Sequence, residues 1–266
     1  MRTPPASPSS SRRSLGRRDV TEWRSRSGQR LLEAQRRLAA RRNEPAAIAT
    51  TLAIGGAAAV AGVWATTFLY DAVADQDGIA RLDRPALAMA KRLRGPLPDG
   101  AAALTAHLFG PIGMPALAAV AGAALSLRAR DPLPLITVAA AGAGSLLMTL
   151  GGKGVVDRHR PPRRDAIPPF EHSPSFPSGH TLNATVVAGT VAYLLMLEQR
   201  ENAPQILTSA AATAVTASVG LSRVLLGAHW FTDVLTGWAA GAGWLATVVT
   251  AHRLHLTLSP SAPDGR

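Results

Sequence analysis

Six long stretches of this chain contain no Asp, Glu, Lys or Arg, and they constrain its fold more than any other feature. They comprise residues 46–70, 101–127, 133–152, 181–197, 203–221 and 234–251. The first, of 25 residues, would form a helix of roughly 37 Å at about 1.5 Å per residue, longer than a hydrocarbon core of about 30 Å. We therefore predict an all-α fold, a polytopic membrane bundle of six transmembrane helices.

Two regions interrupt the regularity of this pattern. Gly110 and Pro111 lie inside the second stretch and predict a kink or a late helix start. Residues 71–100 interleave apolar and basic side chains, which favours an amphipathic helix at the membrane interface, with a solvated loop as the alternative. Asp83 is expected to cap that helix, with Pro85 in its first turn.

Most of the formal charge of +11 lies near the N-terminus. Residues 1–46 contain twelve arginines and four acidic residues, a net charge of +8. Such an arm could bind nucleic acid, but directly before a span it favours a role in topology and in binding anionic lipids. We predict a basic cytoplasmic tail, disordered or amphipathic, in residues 1–45, a six-span domain in residues 46–252 and a short cytoplasmic tail in residues 253–266. We expect no nucleic-acid partner.

The order of the spans also predicts the topology. The first apolar stretch begins too late for a cleavable signal peptide and is interpreted as a retained span. The arginine-rich tail should stay in the cytoplasm, which makes this a multi-pass plasma-membrane protein with both termini cytoplasmic. Residues 71–100, 153–180 and 222–233 then share the extracytoplasmic face. Their shared face depends only on the number of spans between them.

The first polar motif on that face is a pair of cations. Lys153 and Arg160 are seven residues apart, so a helix that continued past the third span would carry both on one face. Such a pair suits a phosphate dianion or a pyrophosphate, because Arg offers a planar fork and Lys a point charge. The alternative is that both side chains simply extend to the membrane interface.

The second motif, Pro177-Ser178-Gly179-His180, directly precedes the fourth span. Ser178 can cap the helix, and the amides at a helix start attract an anion. Gly179 allows the backbone to approach that anion, and His180 is placed to donate or accept a proton. An ordinary turn with an interfacial histidine is the alternative.

The third motif joins the fifth and sixth stretches. His229 and Asp233 are at i and i+4, which predicts that they share a helix face. The carboxylate could then accept a hydrogen bond from one ring nitrogen and leave the other as a nucleophile. Arg223 can reach the same opening. The alternative is a capping Asp beside a packing His, although ionisable groups next to a span are usually functional.

Taken together, the motifs resemble the PAP2 (type 2 phosphatidic acid phosphatase) superfamily of integral membrane phosphatases. Its pattern K-x6-R-P, P-S-G-H and S-R-x5-H-x3-D is matched at every position, by Lys153, Arg160, Pro161, Pro177, Ser178, Gly179, His180, Ser222, Arg223, His229 and Asp233. The resemblance covers about residues 47–252 and implies a PAP2-like core. Phe231 and Thr232 depart from the Pro-containing step of many relatives, but the spacing is intact.

The resemblance implies a role for each matched residue. His229 would attack phosphorus and become a phosphohistidine, with Asp233 orienting it. His180 would protonate the leaving oxygen and then activate water. The phosphoryl oxygens would be held by Lys153, Arg160, Ser178, Gly179 and Arg223. We expect no cofactor and no metal, because the sequence has no carboxylate cluster of the kind that holds Mg²⁺.

These expectations describe an enzyme, a metal-independent lipid phosphatase acting at the extracytoplasmic face. Its substrate would be an undecaprenyl-type pyrophosphate, phosphatidic acid or phosphatidylglycerol phosphate, and three cations slightly favour the pyrophosphate. A lipid phosphotransferase could use the same residues. A vanadate-binding haloperoxidase-like protein is disfavoured by the six apolar stretches, and a non-catalytic lipid-binding relative by the two histidines. Substrate choice could be tuned by Arg158, Arg163, Arg164 and His172.

Overall fold

The computed structural model describes residues 14–15, 18–19 and 44–258. Its helices are α1 (Glu44–Ala74), α2 (Asp83–Arg92), α3 (Pro96–Leu108), α4 (Gly113–Ala129), α5 (Leu133–Val156), α6 (Gly179–Glu198), α7 (Asn202–Leu225) and α8 (Phe231–Leu258). Short 3-10 helices span Gly78–Leu82 and Arg163–Asp165. In addition, β1 (Ser14–Leu15) pairs antiparallel with β2 (Arg18–Asp19). The rest of the predicted tail in residues 1–45, apart from Glu44 and its neighbour, lies outside the described residues, and so does 259–266.

Each of the six uncharged stretches is helical over most of its length. The predicted kink is confirmed, because α3 and α4 are bent by 60° at a break that contains Gly110 and Pro111. Four helices are long and apolar enough to cross a membrane, namely α1, α5, α6 and α8, and the bent pair is a fifth if it counts as one span. The count of six is therefore confirmed only in part.

The remaining predicted span, α7, is long enough to cross a membrane but is less apolar than the other four helices. Its composition gives the reason. Its N-terminal half contains several hydroxyl and amide side chains, which lower its mean hydropathy. The hydroxyls of Ser209, Thr213 and Ser218 donate to backbone carbonyls one turn earlier in the helix. Such bonds satisfy the polar atoms within the helix itself.

Residues 71–100 contain a helix as predicted, but Asp83 does not cap it. The N-cap position belongs to Leu82, which makes no side-chain capping bond, and Asp83 is the first residue of α2. Its side chain is buried and turns towards α8, where it accepts from the Thr232 amide at 2.8 Å. Pro85 lies in the first turn, as expected. A long-range partner has replaced the local cap.

The centre of the bundle is α6. One apolar cluster joins it to α4, α5 and α7 through residues such as Val138, Val187 and Val219. A second cluster joins it to α5 and α8 through Leu182 and Ala240. Because α5 ends, α6 begins, α7 ends and α8 begins at the same end of the bundle, the three sequence motifs are carried to one place.

On the far side of α8 lies α1, which packs along it at close range. The two backbones approach each other closely at Gly62 and Gly243. A Cβ built on Gly62 would lie only 2.5 Å from the Gly243 Cα. Small residues permit this kind of backbone approach between helices in a bilayer, where packing replaces the hydrophobic effect.

We expect Gly62→Ala to destabilise the protein by about 1–3 kcal/mol, because a methyl group must push the two backbones apart. Gly56 is the matched control on the same helix, since a Cβ there meets nothing within 4 Å. Gly56→Ala should stabilise slightly, by up to about 1 kcal/mol of helix propensity. Thermal unfolding in detergent measures both changes. Equal unfolding temperatures for the two variants would contradict the close approach.

Candidate active site

One end of the bundle gathers the polar residues that the sequence singles out. The loop of residues 157–178 leaves α5, crosses this end and enters α6. The turn of residues 226–230 connects α7 to α8 beside it. The side chains of Arg223, His229 and Asp233 are almost completely buried there. Buried ionisable groups need partners, and the contacts below supply them.

His229 is held with its two ring nitrogens in different surroundings. Its Nε2 lies 3.1 Å from Nη1 of Arg160. A guanidinium can only donate, so this nitrogen accepts and the ring proton resides on Nδ1. Nδ1 faces Asp233, 3.6 Å from its Oδ2, and Ser175, 3.5 Å from its Oγ. The imidazole therefore presents an unprotonated Nε2 to the opening.

The proximity of His229 and Asp233 arises differently from the prediction. The helix α8 begins at Phe231, so His229 lies in the preceding turn and the two do not share a helix face. Asp233 lies in the first turn of α8, where its Oδ2 accepts from the Trp230 amide at 2.8 Å. Ser175 donates to the same oxygen at 2.5 Å. The hydrogen bond from the Trp230 amide to Asp233 closes the turn before α8, and this turn brings His229 and Asp233 together.

Arg158 completes the surroundings of Asp233. Its Nη1 lies 2.6 Å from Oδ1 of Asp233, and its Nη2 lies 2.6 Å from Oδ2 of Asp83. One guanidinium thus joins α2, the 157–178 loop and α8. The sequence analysis named Arg158 only as one of several loop residues that could tune substrate choice. It could not predict these two ion pairs, because 75 residues separate Arg158 from either carboxylate.

The other loop residues named from the sequence lie elsewhere. Arg163 stacks over Phe170, 4.3 Å from the ring centroid. Within the described part of the chain, no hydrogen bond or ion pair joins Arg164 or His172 to the site. Their proposed influence on substrate choice therefore has no contact to support it.

Lys153 and Arg160 come together although the helix does not continue between them. It ends at Val156, and Asp157 adopts a left-handed conformation with φ of 42°. Both cations instead contact Ser173, whose Oγ lies 3.0 Å from Nζ of Lys153 and 3.2 Å from Nη2 of Arg160. The predicted shared helix face is wrong, but the folded loop places both cations beside one segment.

Ser178 is the N-cap residue of α6, as expected, but its hydroxyl makes no capping bond. The Oγ lies 2.9 Å from Oγ1 of Thr181 instead, and the Ser178 amide donates to the Asp233 carbonyl at 3.1 Å. This backbone hydrogen bond connects the start of α6 to the start of α8. Gly179 is needed for packing, since a Cβ there would lie 2.7 Å from Cγ2 of Thr149.

Arg223 projects from the last turn of α7 and is fully buried. Its Nη1 donates to Glu171 at 3.0 Å. Its Nε and Nη2 have no hydrogen-bond partner among the described residues. A buried guanidinium with two unused donor groups is expensive to leave unsatisfied, so this side chain is equipped to hold an oxyanion.

At the centre of these groups is Glu171, a residue that no motif predicted. Its Oε2 lies 2.7 Å from Nη2 of Arg160 and 3.5 Å from Nε2 of His229. Its Oε1 lies 3.0 Å from Nη1 of Arg223 and 3.5 Å from Nδ1 of His180. One carboxylate thus contacts both histidines and two of the three predicted cations. The loop also contains Asp157 and Asp165, so nothing in the sequence singled out Glu171 among its acidic residues.

Glu171 is ionised in this setting. Burial opposes the charged form, but His229, His180 and the guanidinium of Arg160 around the carboxylate outweigh it and hold the pKa of Glu171 well below its usual range. Its anionic oxygens therefore lie where the donor groups of Arg160 and Arg223 converge. Among the described residues no group of three or more His, Cys, Asp or Glu could hold a metal ion.

We expect Glu171→Gln to bind inorganic phosphate about tenfold more tightly, a gain of about 1.4 kcal/mol. The neutral Gln amide would compete with phosphate for Arg160 and Arg223 less well than the Glu171 carboxylate does. The substitution also removes a negative charge that repels phosphate from this position. Isothermal titration of the purified protein measures the affinity. Glu201→Gln, in the connection at the opposite end of the bundle, is the control. Weaker phosphate binding by Glu171→Gln would show that its carboxylate supports the cations and does not compete for them.

Comparison with known proteins shows what this arrangement is similar to. Residues 133–255 match the sequence profile of the PAP2 superfamily. Phosphatidylglycerophosphatase B of Bacillus subtilis (strain 168) is 34% identical over 131 residues, and the match covers 41% of this chain but only 62% of that relative. The crystal structure of a transmembrane PAP2-type phosphatidylglycerolphosphate phosphatase from Bacillus subtilis matches with a TM-score of 0.68 at 25% identity, over 74% of this chain and 96% of that chain.

The matched segment extends from α5 into α8 and carries every residue of the K-x6-R-P, P-S-G-H and S-R-x5-H-x3-D pattern. The family resemblance seen in the sequence is thereby confirmed. Residues 133–255, just under half of the chain, are thus similar to the PAP2 superfamily.

Proposed function

We propose that this protein is a membrane phosphatase that removes a phosphate from a lipid through a phosphohistidine at His229. The observation that carries the proposal is the buried guanidinium of Arg223. Two of its donor groups have no partner among the described residues, and its third contacts the Glu171 carboxylate, which also contacts Arg160 and two histidines. Fixed donors of this kind stabilise the charge of a transferring phosphoryl group.

In the first step the substrate phosphoryl group takes the place of the Glu171 carboxylate. Arg160 and Arg223 bind its oxygens, and Nε2 of His229 attacks phosphorus. A nitrogen–phosphorus bond forms as the bond from phosphorus to the lipid oxygen breaks. The negative charge of the bound phosphate favours a proton on His180, 3.5 Å from Glu171 and so beside the same position, and His180 gives this proton to the leaving oxygen.

In the second step water replaces the histidine. His180, now neutral, takes a proton from the water, whose oxygen attacks phosphorus. The nitrogen–phosphorus bond breaks, inorganic phosphate leaves and His229 returns to its starting state. Asp233 stabilises the positive ring of the intermediate through its position 3.6 Å from Nδ1. No metal takes part in this scheme.

The remaining motif residues support the phosphoryl group less directly. Lys153 contacts the same Ser173 as Arg160, so it adds positive charge and orders the loop that carries Glu171. Ser178 and Gly179 act through the start of α6, whose N-terminus favours an anion. The geometry supports the roles of Arg160 and Arg223 most strongly.

For the substrate we place phosphatidylglycerol phosphate first. Both relatives described above carry that activity in their names. The undecaprenyl-type pyrophosphate and phosphatidic acid remain the alternatives, and a lipid phosphotransferase would share the first chemical step. The lipid bilayer is the expected surrounding, with anionic lipids at the basic N-terminal tail.

We further propose six spans, with α3 and α4 as one bent span and α7 as another. Both termini are then cytoplasmic and the site is extracytoplasmic, in keeping with the arginine-rich tail. Contacts of α7 with α6 and α8, and burial of its C-terminal residues such as Val219 and Val224, support the sixth span, since a helix with protein neighbours needs less hydrophobicity than one surrounded by lipid.

His229→Ala should lower the rate of phosphate release from a lipid phosphate by at least about 10³-fold, because the nucleophile is lost. The assay contains EDTA and purified protein in detergent, with phosphatidylglycerol phosphate, phosphatidic acid and a prenyl pyrophosphate as substrates. His255→Ala, near the other end of α8, is the matched control. Full turnover by His229→Ala would rule out this mechanism, and a requirement for Mg²⁺ would rule out the metal-free scheme.

Reporter fusions test the orientation separately. An alkaline phosphatase reporter should be active when fused after residue 100 or residue 170 and inactive after residue 260, since the enzyme folds only outside the cytoplasm. The opposite pattern would place the active site in the cytoplasm and leave the chemistry untouched.

A further inference from the structure

A second basic cavity adjoins the candidate active site. It has a volume of about 580 Å³ and lies between α2, the start of the 157–178 loop and the turn before α8. The residues that matter to its chemistry are Arg81, Asp83, Arg84, Arg158, Arg160 and Trp230. Its volume falls within the range of small-molecule sites in proteins.

Two of the four arginines in this cavity are not neutralised. Arg158 is paired with Asp83 and Asp233, and Arg160 with Glu171. In contrast, the exposed side chains of Arg81 and Arg84 make no hydrogen bond or ion pair with any other described residue. The cavity therefore carries a net positive charge before any ligand enters.

The cavity and the reaction centre share one residue, Arg160. This side chain lines the cavity and also lies 3.1 Å from Nε2 of His229. The wall nearby is braced, since Arg158 lies over the Trp230 ring, 5.7 Å from its centroid, and Nε1 of Trp230 donates to the His159 carbonyl at 2.8 Å. An anion in the cavity would thus lie beside the phosphoryl group that His229 attacks.

We propose that this cavity binds a second phosphate of the substrate through Arg81 and Arg84. The inference rests on the proposed function and narrows its substrate class to lipids that carry another phosphate near the scissile one. Two chemistries share this property: a phosphodiester separated by a glycerol unit, as in phosphatidylglycerol phosphate, and the inner phosphate of a prenyl pyrophosphate. A lipid with a single phosphate, such as phosphatidic acid, leaves both arginines unused.

The double variant Arg81→Gln, Arg84→Gln tests this subsite. Its kcat/KM for a diphosphorylated lipid, relative to that for phosphatidic acid, should fall about tenfold, mainly through KM, since two guanidinium–phosphate contacts are lost. Arg92→Gln is the matched control, because Arg92 is an exposed arginine of α2 that does not line the cavity. All substrates are presented in the same mixed micelles.

The two substrate arms distinguish the source of the second phosphate. If relative kcat/KM falls only for phosphatidylglycerol phosphate, the subsite is assigned to a phosphodiester one glycerol unit away. A fall with the prenyl pyrophosphate alone assigns it to a directly bonded phosphate, and a fall with both shows that either fits. A ratio that changes by less than about twofold with both substrates overturns the inference.

Added salt gives a second measurement on the unaltered protein. Exposed guanidinium groups are screened when the Debye length falls from about 10 Å at 0.1 M to about 3 Å at 1 M. The preference for a diphosphorylated lipid should therefore decline with salt in the unaltered protein and in Arg92→Gln, but much less in the double variant. Equal salt dependence in all three would also overturn the inference.

Failure of the proposed function has a different signature. If the unaltered protein released no phosphate from any of the three lipids, or if His229→Ala retained full turnover, the phosphatase proposal and this subsite would fall together. If phosphate release depends on His229 and only the substrate ratio is insensitive to Arg81 and Arg84, the phosphatase stands and the subsite does not.

Discussion

The buried carboxylate of Asp233 is the group on which the architecture of this site depends. A carboxylate removed from water needs compensating donors, and here they come from Arg158, Ser175 and the Trp230 amide. Those donors belong to the long loop after α5 and to the turn before α8. Satisfying one charge therefore ties separate parts of the chain together, and His229 is positioned as a result.

Charge balance explains why an acidic residue lies in a pocket suited to anions. Lys153, Arg160 and Arg223 would repel one another in a buried, water-poor site without a negative partner. The Glu171 carboxylate supplies that charge and contacts Arg160, Arg223, His180 and His229. A phosphoryl group offers more oxygens to the same donors, including those of Arg223 that no described residue uses. The cavity beside Arg160 extends this positive region towards α2.

The motif residues come together in the structure, but through a local geometry different from the one that their spacing predicted. Lys153 and Arg160 were expected on one helix, yet α5 ends at Val156. His229 and Asp233 were expected on another, yet α8 begins at Phe231. The spacing of a motif indicates that its residues lie close together in the fold. A turn can bring them together as well as a helix can.

The sequence by itself determined the helical stretches, the bend at Gly110 and Pro111, the resemblance to the PAP2 superfamily and the set of motif residues, because each depends on local composition or on short spacing. It could not determine the partners of Asp83, Arg158 and Glu171. These contacts join segments up to 149 residues apart, and no periodicity relates such positions. They form only when α2, the 157–178 loop and the ends of α7 and α8 pack together, because the free energy of pairing buried charges is realised only in the folded chain.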